Sequence, residues 1–253
     1  MNYSDNIYSD IASNLSQVQE RISEACARAR RNPNEVTLIA VSKTKPYEAI
    51  EVAWAAGVRD FGENYVQELT QKIQRWNSQE SDRPIRWHMI GHLQKNKVKY
   101  LIGNVALIHS VDSLSLAEQI EKESAKKATK TNILLEVNVA GEKSKWGFNP
   151  TEVPDAAYAI AQLPHIRLLG LMTSAPYTLQ PESNRLWFRL LFDLGQQLKA
   201  EDLLSQDKGL PKLPILSMGM SGDFEVAVEE GATMVRVGTS IFGERDYGIN
   251  TTP

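Results

Sequence analysis

The sequence predicts a single (β/α)8 TIM barrel over residues 1–253, with an extra helix at its amino terminus, and three observations lead there. Short apolar runs alternate with amphipathic helical patterns eight times, the order that builds a parallel sheet with helices outside it. A length of 253 residues is about what one such barrel uses. Glycine, hydroxyl and basic residues collect just after the apolar runs, where a barrel keeps its functional face.

The extra helix comes first, in an amino-terminal helical segment covering residues 1–33. Between 7 and 31, Ile11, Leu15, Val18, Ile22, Ala25 and Ala29 recur at spacings of four and three, giving one apolar stripe closed by Asn32 and Pro33. The stripe predicts packing against the body or across its base. Apolar residues at 36 and 38–41, bounded by polar residues and Pro46, suit a first strand buried on both faces. Pro46 opens a helix through Ile50, Ala53 and Trp54 that Gly57 ends.

The unit then recurs. Strand 58–61 precedes helix 64–76, strand 85–90 precedes helix 94–101, strand 105–109 precedes helix 113–127, and strand 132–139 precedes helix 151–163. Strand 166–172 leads into a long helix over 181–204, strand 215–217 into helix 223–230, and strand 233–237 into a short terminal helix. Residues 205–213 read as one αβ loop, so nothing marks a second domain.

Composition narrows the function. The net charge is −3 with acids and bases interspersed, which offers no basic face to nucleic acid and no polybasic segment to a membrane. No apolar run approaches the length that spans a bilayer, and the first residues lack the basic start and apolar core of a signal peptide. The one cysteine, Cys26, makes no internal disulfide and reads as a packed or half-exposed thiol in a reducing cytoplasm. A soluble, cytoplasmic protein handling small molecules is the expectation.

The chemistry collects around Lys43, just past the first strand. A lysine whose stem lies among apolar neighbours loses its proton more easily, and a neutral amine attacks an aldehyde. A surface lysine in a βα loop is the plainer alternative. After strand seven comes Ser217-Met-Gly-Met-Ser-Gly-Asp223, with Gly219 and Gly222 admitting a close ligand and Ser221 placed as an N-cap. After strand eight comes Arg236-Val-Gly-Thr-Ser240, again glycine and hydroxyl leading into a helix. Either loop alone is also an ordinary glycine turn. Because a barrel closes, strand eight lies beside strand one, and Lys43 sits about one small aromatic ring from these loops. An aldehyde cofactor carrying a phosphate, pyridoxal 5′-phosphate, needs these two anchors. Arg236 shares the parity of Gly238 and can point inward to the pyridine ring, where it would leave the ring nitrogen unprotonated; an arginine paired to an acid at the barrel mouth is the alternative.

Other residues attract attention for less. His88 and His92 do not share a helix face and no third ligand has metal-like spacing, so no metal site is expected; site lining or satisfied polar packing remains for them. Glu63 is either an acid or base at the end of strand two or a helix-start acid. Met172, Met218 and Met220 read as barrel-mouth packing, and Lys95, Lys97 and Lys99 as a solvated helix end.

Six stretches carry a family resemblance: Val-Ser-Lys-Thr-Lys-Pro (41–46), Phe-Gly-Glu-Asn-Tyr (61–65), Trp-His-Met-Ile-Gly-His-Leu-Gln-Lys-Asn-Lys (87–97), Gly-Leu-Met-Thr (170–173), Ser-Met-Gly-Met-Ser (217–221) and Val-Arg-Val-Gly-Thr-Ser-Ile-Phe-Gly (235–243). In this order they closely resemble the pyridoxal phosphate homeostasis proteins, the YggS/PROSC family, from about residue 36 to 243. The resemblance implies a monomeric fold-type III barrel similar to the amino-terminal domain of bacterial alanine racemase. It implies Lys43 as the lysine that forms the Schiff base, Ser221, Gly222, Gly238 and Thr239 as phosphate binders, Arg236 beside the ring nitrogen and Asn64 near the ring. Lys145 matches a second lysine implicated in cofactor handling in some members.

The implied function is binding, buffering and delivery of pyridoxal 5′-phosphate, with apo enzymes as recipients and an indirect effect on amino-acid and keto-acid balance. No catalytic residue is assigned. A fold-type III racemase or decarboxylase is the alternative, which would need a base on each face of a bound amino acid; the racemases take the second from a carboxyl-terminal domain that this sequence does not contain. A barrel aldolase acting on a sugar phosphate ranks third, disfavoured by the arginine and the first-strand lysine.

Overall fold

Parallel strands that are apolar on both faces bury themselves only when helices cover the outside and inward side chains fill the middle. In a computed structural model, which describes residues 8, 10–79, 82 and 84–244, the chain takes this solution. Strands β1 (Thr37–Val41), β2 (Asp60–Glu63), β3 (Arg86–Met89), β4 (Leu107–Val111), β5 (Thr131–Glu136), β6 (Ile166–Met172), β7 (Ile215–Ser217) and β8 (Met234–Val237) form a closed barrel in sequence order. All pairs are parallel, and β8 returns to β1 with Ile39 opposite Arg236 and Ala40 opposite Val237. Outside lie α2 (Tyr47–Ala55), α3 (Val66–Gln79), α4 (Leu114–Lys126), α5 (Val153–Ala161), α6 (Arg185–Ala200), α7 (Phe224–Glu229) and the single turn α8 (Thr239–Phe242).

The first helix, α1 (Asp10–Arg28), buries Ile11, Leu15, Val18, Ile22, Ala25 and Cys26. Its stripe lies along α7, α8 and α2 on the barrel's flank rather than across the base. Burying each large apolar side chain contributes roughly 1.5–3 kcal/mol, so the stripe holds this helix more firmly than its half-exposed ion pairs Arg21–Glu225 and Arg28–Glu229. Asn14 Nδ2 adds a hydrogen bond to Ile241 O at 3.1 Å. Ala29 falls beyond the helix, in a turn where Arg30 has φ 55°. The expected helical segment before residue 8 lies outside the described residues.

Several expected elements come out differently. The helix over 94–101 is a 3-10 turn, Lys95–Tyr100, which buries Val98 and is capped by Leu101, whose N–H donates to Val98 O three residues back. The long helix over 181–204 divides into a 3-10 turn, Pro181–Asn184, and α6, and stops where Asp202 adopts φ 56°. β2 and β4 sit two residues later than expected, and β5 ends three residues earlier, at Glu136.

Side chains two apart on a strand share a face, so the barrel interior has levels. Leu107, Leu134, Leu169, Met172 and Ile215 pack together there with Met234. One step further along β4, β7 and β8, the inward residues are His109, Ser217 and Arg236, which touch one another through hydrogen bonds. On the β4 to β8 side an apolar lower level thus carries a polar upper one at the strands' carboxyl ends, while β2 and β3 turn Asp60 and His88 inward below it.

β5 and β6 shift register near Leu134, and at that place Gly170 has φ 150°, with Ile215 O 2.0 Å from where a Cβ would stand. Gly170→Ala therefore collides with backbone that cannot retreat. It should lower unfolding stability by about 3 kcal/mol or more in urea titrations, whereas Gly222→Ala, facing open space, should change it by less than about 1 kcal/mol.

Candidate functional site

Lys43, Asn64, Ser221, Gly222, Arg236, Gly238 and Thr239 all line one cavity of about 450 Å³ at the carboxyl-terminal mouth of the barrel. Their convergence follows from β1, β7 and β8 being neighbours and from period-two alternation, which turns Lys43 to the same side as Ile39 and Val41.

Lys43 stands two residues beyond β1, in a turn closed by Lys45 N donating to Ser42 O at 3.0 Å. Thr44, the next residue, has φ 62°, a left-handed conformation that costs a β-branched residue on the order of 1–3 kcal/mol. The surroundings hold it there: Thr44 N donates to Glu68 Oε1 at 2.7 Å, and Lys72 Nζ donates to Glu68 Oε1, Glu63 Oε1 and Ser42 O. Glu63 Oε1 also accepts from the Ser42 hydroxyl at 2.6 Å. This buried cluster anchors the turn from the α3 side. Glu63 therefore faces outward from the barrel and does not line the cavity; it is neither an acid or base at the site nor the start of a helix, the two expected alternatives, but a strand residue that braces the turn. Its carboxyl is pushed up by burial, which the Lys72 ammonium opposes. Lys45 has a separate task, its Nζ donating to the carbonyls of Phe242, Gly243 and Glu244 at the end of α8.

The two loops meet across the mouth. Ser221 was expected as an N-cap; instead α7 starts at Phe224, and the Ser221 hydroxyl accepts from Gly238 N at 3.2 Å, tying the β7 loop to β8. The reason is local: Asp223 Oδ1 accepts from Met220 N at 2.7 Å, adding a turn before the helix. Gly222 has open space where a side chain would stand, and at Gly238 a Cβ would lie 3.3 Å from Val41. Thr239 and Ser240 open α8, where the first N–H groups have no partner within the helix.

Arg236 is buried, and its described hydrogen bonds go to a hydroxyl and carbonyl rather than a carboxylate: Nη1 to Ser217 Oγ at 2.7 Å and Nη2 to Thr173 O at 2.8 Å. Burial lowers its pKa to about 10, against the opposing pull of Glu136 and Asp223, so it remains a cation at neutral pH. Glu136, at the end of β5, is the acid nearest this charge in effect. Burial and, after it, the Asp112 charge raise its pKa to about 7 against the opposing Arg236 cation.

Sequence reasoning missed Glu136 and the buried Asp60, His109 and Ser217 side chains, although strand parity marks each as inward. His88 is polar packing inside the barrel, with ring nitrogens 3.0 Å from Asp60 Oδ1 and from His109 Nε2. His92 stacks on Trp146 at 4.0 Å and pairs with Asp112 at 3.1 Å, beside a second cavity of about 510 Å³ that Lys145 also lines. Lys145 thus lies outside the Lys43 cavity but reaches its wall, donating to Ser174 O at 3.1 Å. Met172 and Met218 are buried packing, while Met220 lines the cavity half-exposed. Among the described residues, no three His, Cys, Asp or Glu side chains are grouped to hold a metal ion.

Comparison with known proteins gives the same picture at chain level. Residues 13–246 match the family described as alanine racemase, N-terminal domain. A relative from Aquifex aeolicus named pyridoxal phosphate homeostasis protein is 46% identical over 233 residues, covering 92% of this chain and 97% of its own. A solved structure of an unknown protein from Bifidobacterium adolescentis superposes with a TM-score of 0.86 at 35% identity, covering 96% of this chain and 97% of the other. PipY of Synechococcus elongatus, solved with PLP bound, gives 0.74 at 34% identity, covering 92% and 100%.

The Glu136 geometry makes a pH prediction. A carboxyl raised from 4.5 to about 7 contributes stability that is complete below its unfolded pKa and is lost as pH rises through 7. Glu136→Gln removes that loss. Between pH 5 and pH 8 the variant should gain up to about 3 kcal/mol relative to the unaltered chain, measured by denaturant titration without any ligand.

Proposed function

The chain belongs to the pyridoxal phosphate homeostasis proteins, of the alanine racemase N-terminal domain type, and on that premise we propose that it binds pyridoxal 5′-phosphate and holds it, as a single barrel domain, for buffering and delivery. One observation carries the reading: a lysine, two glycine-hydroxyl loops and a buried arginine line a single cavity of about 450 Å³.

The residues present fit this group. Gly222 leaves open the space a side chain would fill, beside a hydroxyl and the start of a helix, the donor set that suits a phosphate. The cofactor supplies an aldehyde for an amine and a ring that accepts electrons. Lys43, aimed into the cavity by its strained turn, is the amine assigned to the Schiff base; Ser221, Gly222, Gly238 and Thr239 hold the phosphate. Asn64 borders the ring.

Arg236 sets the character of the site. A guanidinium that remains charged accepts no proton, so a ring nitrogen held beside it would stay unprotonated and the ring would draw electrons weakly. The side chains bordering the cavity add little to this as acids or bases. Asp223 is occupied by Met220 N and by Asn184 Nδ2, and Tyr177 is 90% exposed. Racemisation needs a positioned base on each face. A carrier that gives its cofactor to apo enzymes in the cytoplasm fits these groups better than a racemase or decarboxylase does. Among the described residues no helix is long and apolar enough to cross a membrane.

Lys43→Ala tests the assignment. Mixed with pyridoxal 5′-phosphate, the unaltered chain should develop a visible absorption band that survives gel filtration and disappears on borohydride reduction, and the variant should show none while unfolding within about 1 kcal/mol of the original. A variant that keeps the band would move the bond to another lysine.

A further inference from the structure

A line of buried polar side chains crosses the barrel from one mouth to the other. Arg86 begins β3 at the amino-terminal face, with its side chain 61% exposed, and lines a cavity of about 400 Å³ there together with Asp60. Its Nε donates to Asp60 Oδ1 at 2.7 Å. The same oxygen lies 3.0 Å from His88 Nε2, His88 Nδ1 lies 3.0 Å from His109 Nε2, and His109 Nδ1 lies 2.9 Å from Ser217 Oγ. Ser217 Oγ accepts from Arg236 Nη1 at 2.7 Å, and Arg236 lines the Lys43 cavity. From Asp60 to Arg236 every member is buried, at 5% exposure or less.

With both imidazole rings neutral, the two ends fix the direction of the whole line. A guanidinium only donates, so Ser217 Oγ accepts from Arg236 and its own hydrogen is free to go to His109 Nδ1. Asp60 is ionised at neutral pH, because the hydrogen bonds from His88 and Arg86 outweigh the burial that pulls its carboxyl up. An ionised carboxylate only accepts, so His88 carries its proton on Nε2. His109 is held neutral, its pKa lowered well below the ordinary value by burial first and also by the Arg236 cation. With His88 neutral as well, His109 carries one proton, on Nε2, for the bare Nδ1 of His88. Each donor meets one acceptor with no conflict. The other charged groups felt at the upper end are Glu136 from β5 and Asp223 from the β7 loop, both acting on Arg236, and Asp112 beyond β4, which acts on Glu136.

We propose that Asp60, His88, His109 and Ser217 are positioning residues, a directed hydrogen-bond line that fixes the Arg236 guanidinium at the ring-facing wall of the cavity from the opposite mouth of the barrel. The part of this that concerns the ring rests on the proposed cofactor. Thr173 O and a longer contact to Ser174 Oγ at 3.5 Å both hold Nη2; Ser217 is what holds Nη1 and keeps the fork from turning, and Ser217 is oriented by His109. A proton added to His88 would reverse the line, since His88 Nδ1 would then donate to His109 Nε2 and His109 Nδ1 would donate to Ser217. The Ser217 hydrogen would be turned away, and Arg236 would share its acceptor.

Nitrogen NMR of the two imidazole rings in the cofactor-free chain at pH 7.5 tests the direction without any substitution, and the expected result is one proton per ring, on Nε2 in both. A proton on Nδ1 of His109 would overturn the line. The effect on the cavity is read from cofactor dissociation and from the visible band between pH 6 and 8. His109→Leu should weaken binding about tenfold, the size of one lost charge-assisted hydrogen bond, and displace the band at every pH in that range, because the guanidinium loses its fixed place. His109→Asn, whose Oδ1 stands in for Nδ1 toward Ser217, should restore binding to within about threefold. Folded His109→Leu with unaltered dissociation and a fixed band would reduce the line to packing. If the unaltered chain itself shows no band, the cofactor reading fails, and the ring tautomers still decide the line.

Discussion

Closure of the barrel by the pairing of β8 with β1 is the constraint on which the site depends. It sets Ile39 against Arg236 and brings Lys43 within one cavity of loops almost two hundred residues later in the chain. No segment of this chain carries the site by itself. Lys43 stands in a strained turn braced by Glu68 and Lys72 from α3, Ser221 is bonded across to Gly238, and Lys45 fastens the end of α8 beside them. α1 lies over α7, α8 and α2 on the flank of that same seam, burying one apolar stripe where first and last strands meet. The extra helix is thus part of what keeps the mouth in register.

The second theme is how much charge the interior carries and how it is satisfied. Isolated, a buried guanidinium or carboxylate costs several kcal/mol of desolvation, and the chain meets this with hydrogen bonds rather than direct ion pairs at Arg236 and with a direct pair at Glu63 and Lys72. Glu136 is the member left without a charge partner in hydrogen-bond range among the described contacts, and its raised pKa is the consequence. An apolar level of leucine, isoleucine and methionine lies beneath these groups. That arrangement keeps water away from the polar level on one side and leaves the cavity open on the other.

How much of this was legible in the sequence follows from which contacts are local. Lys43 and Arg236 were readable because parity along a strand is a two-residue property, and the loops after β7 and β8 because glycine and hydroxyl residues announce themselves over five positions. Glu63 was misread because β2 begins two residues later than the apolar pattern suggests, which makes Glu63 an outward strand residue. Ser221 does not serve as the expected N-cap because its partner, Gly238, lies just past the next strand. The His88 to His109 contact was invisible for a related reason: the register of parallel strands joined by helices is set by the stagger of the closed barrel, not by any turn in the sequence. The 3-10 turn at Lys95–Tyr100 shows the remaining limit, since a period of three and one of 3.6 differ too little over six residues to separate by pattern.

On the proposed function, the barrel holds its cofactor with a lysine, two glycine-hydroxyl loops and a buried arginine, and does little carbanion chemistry with it. The measurement that bears most directly on this is exchange of the α-proton of a panel of amino acids in heavy water, with the cofactor-loaded chain set against free pyridoxal 5′-phosphate at equal concentration. The account predicts no exchange beyond that of the free cofactor and no loss of chirality. Faster exchange that Lys43→Ala removes would contradict it, and would mean that the barrel has found the base its cavity walls do not supply.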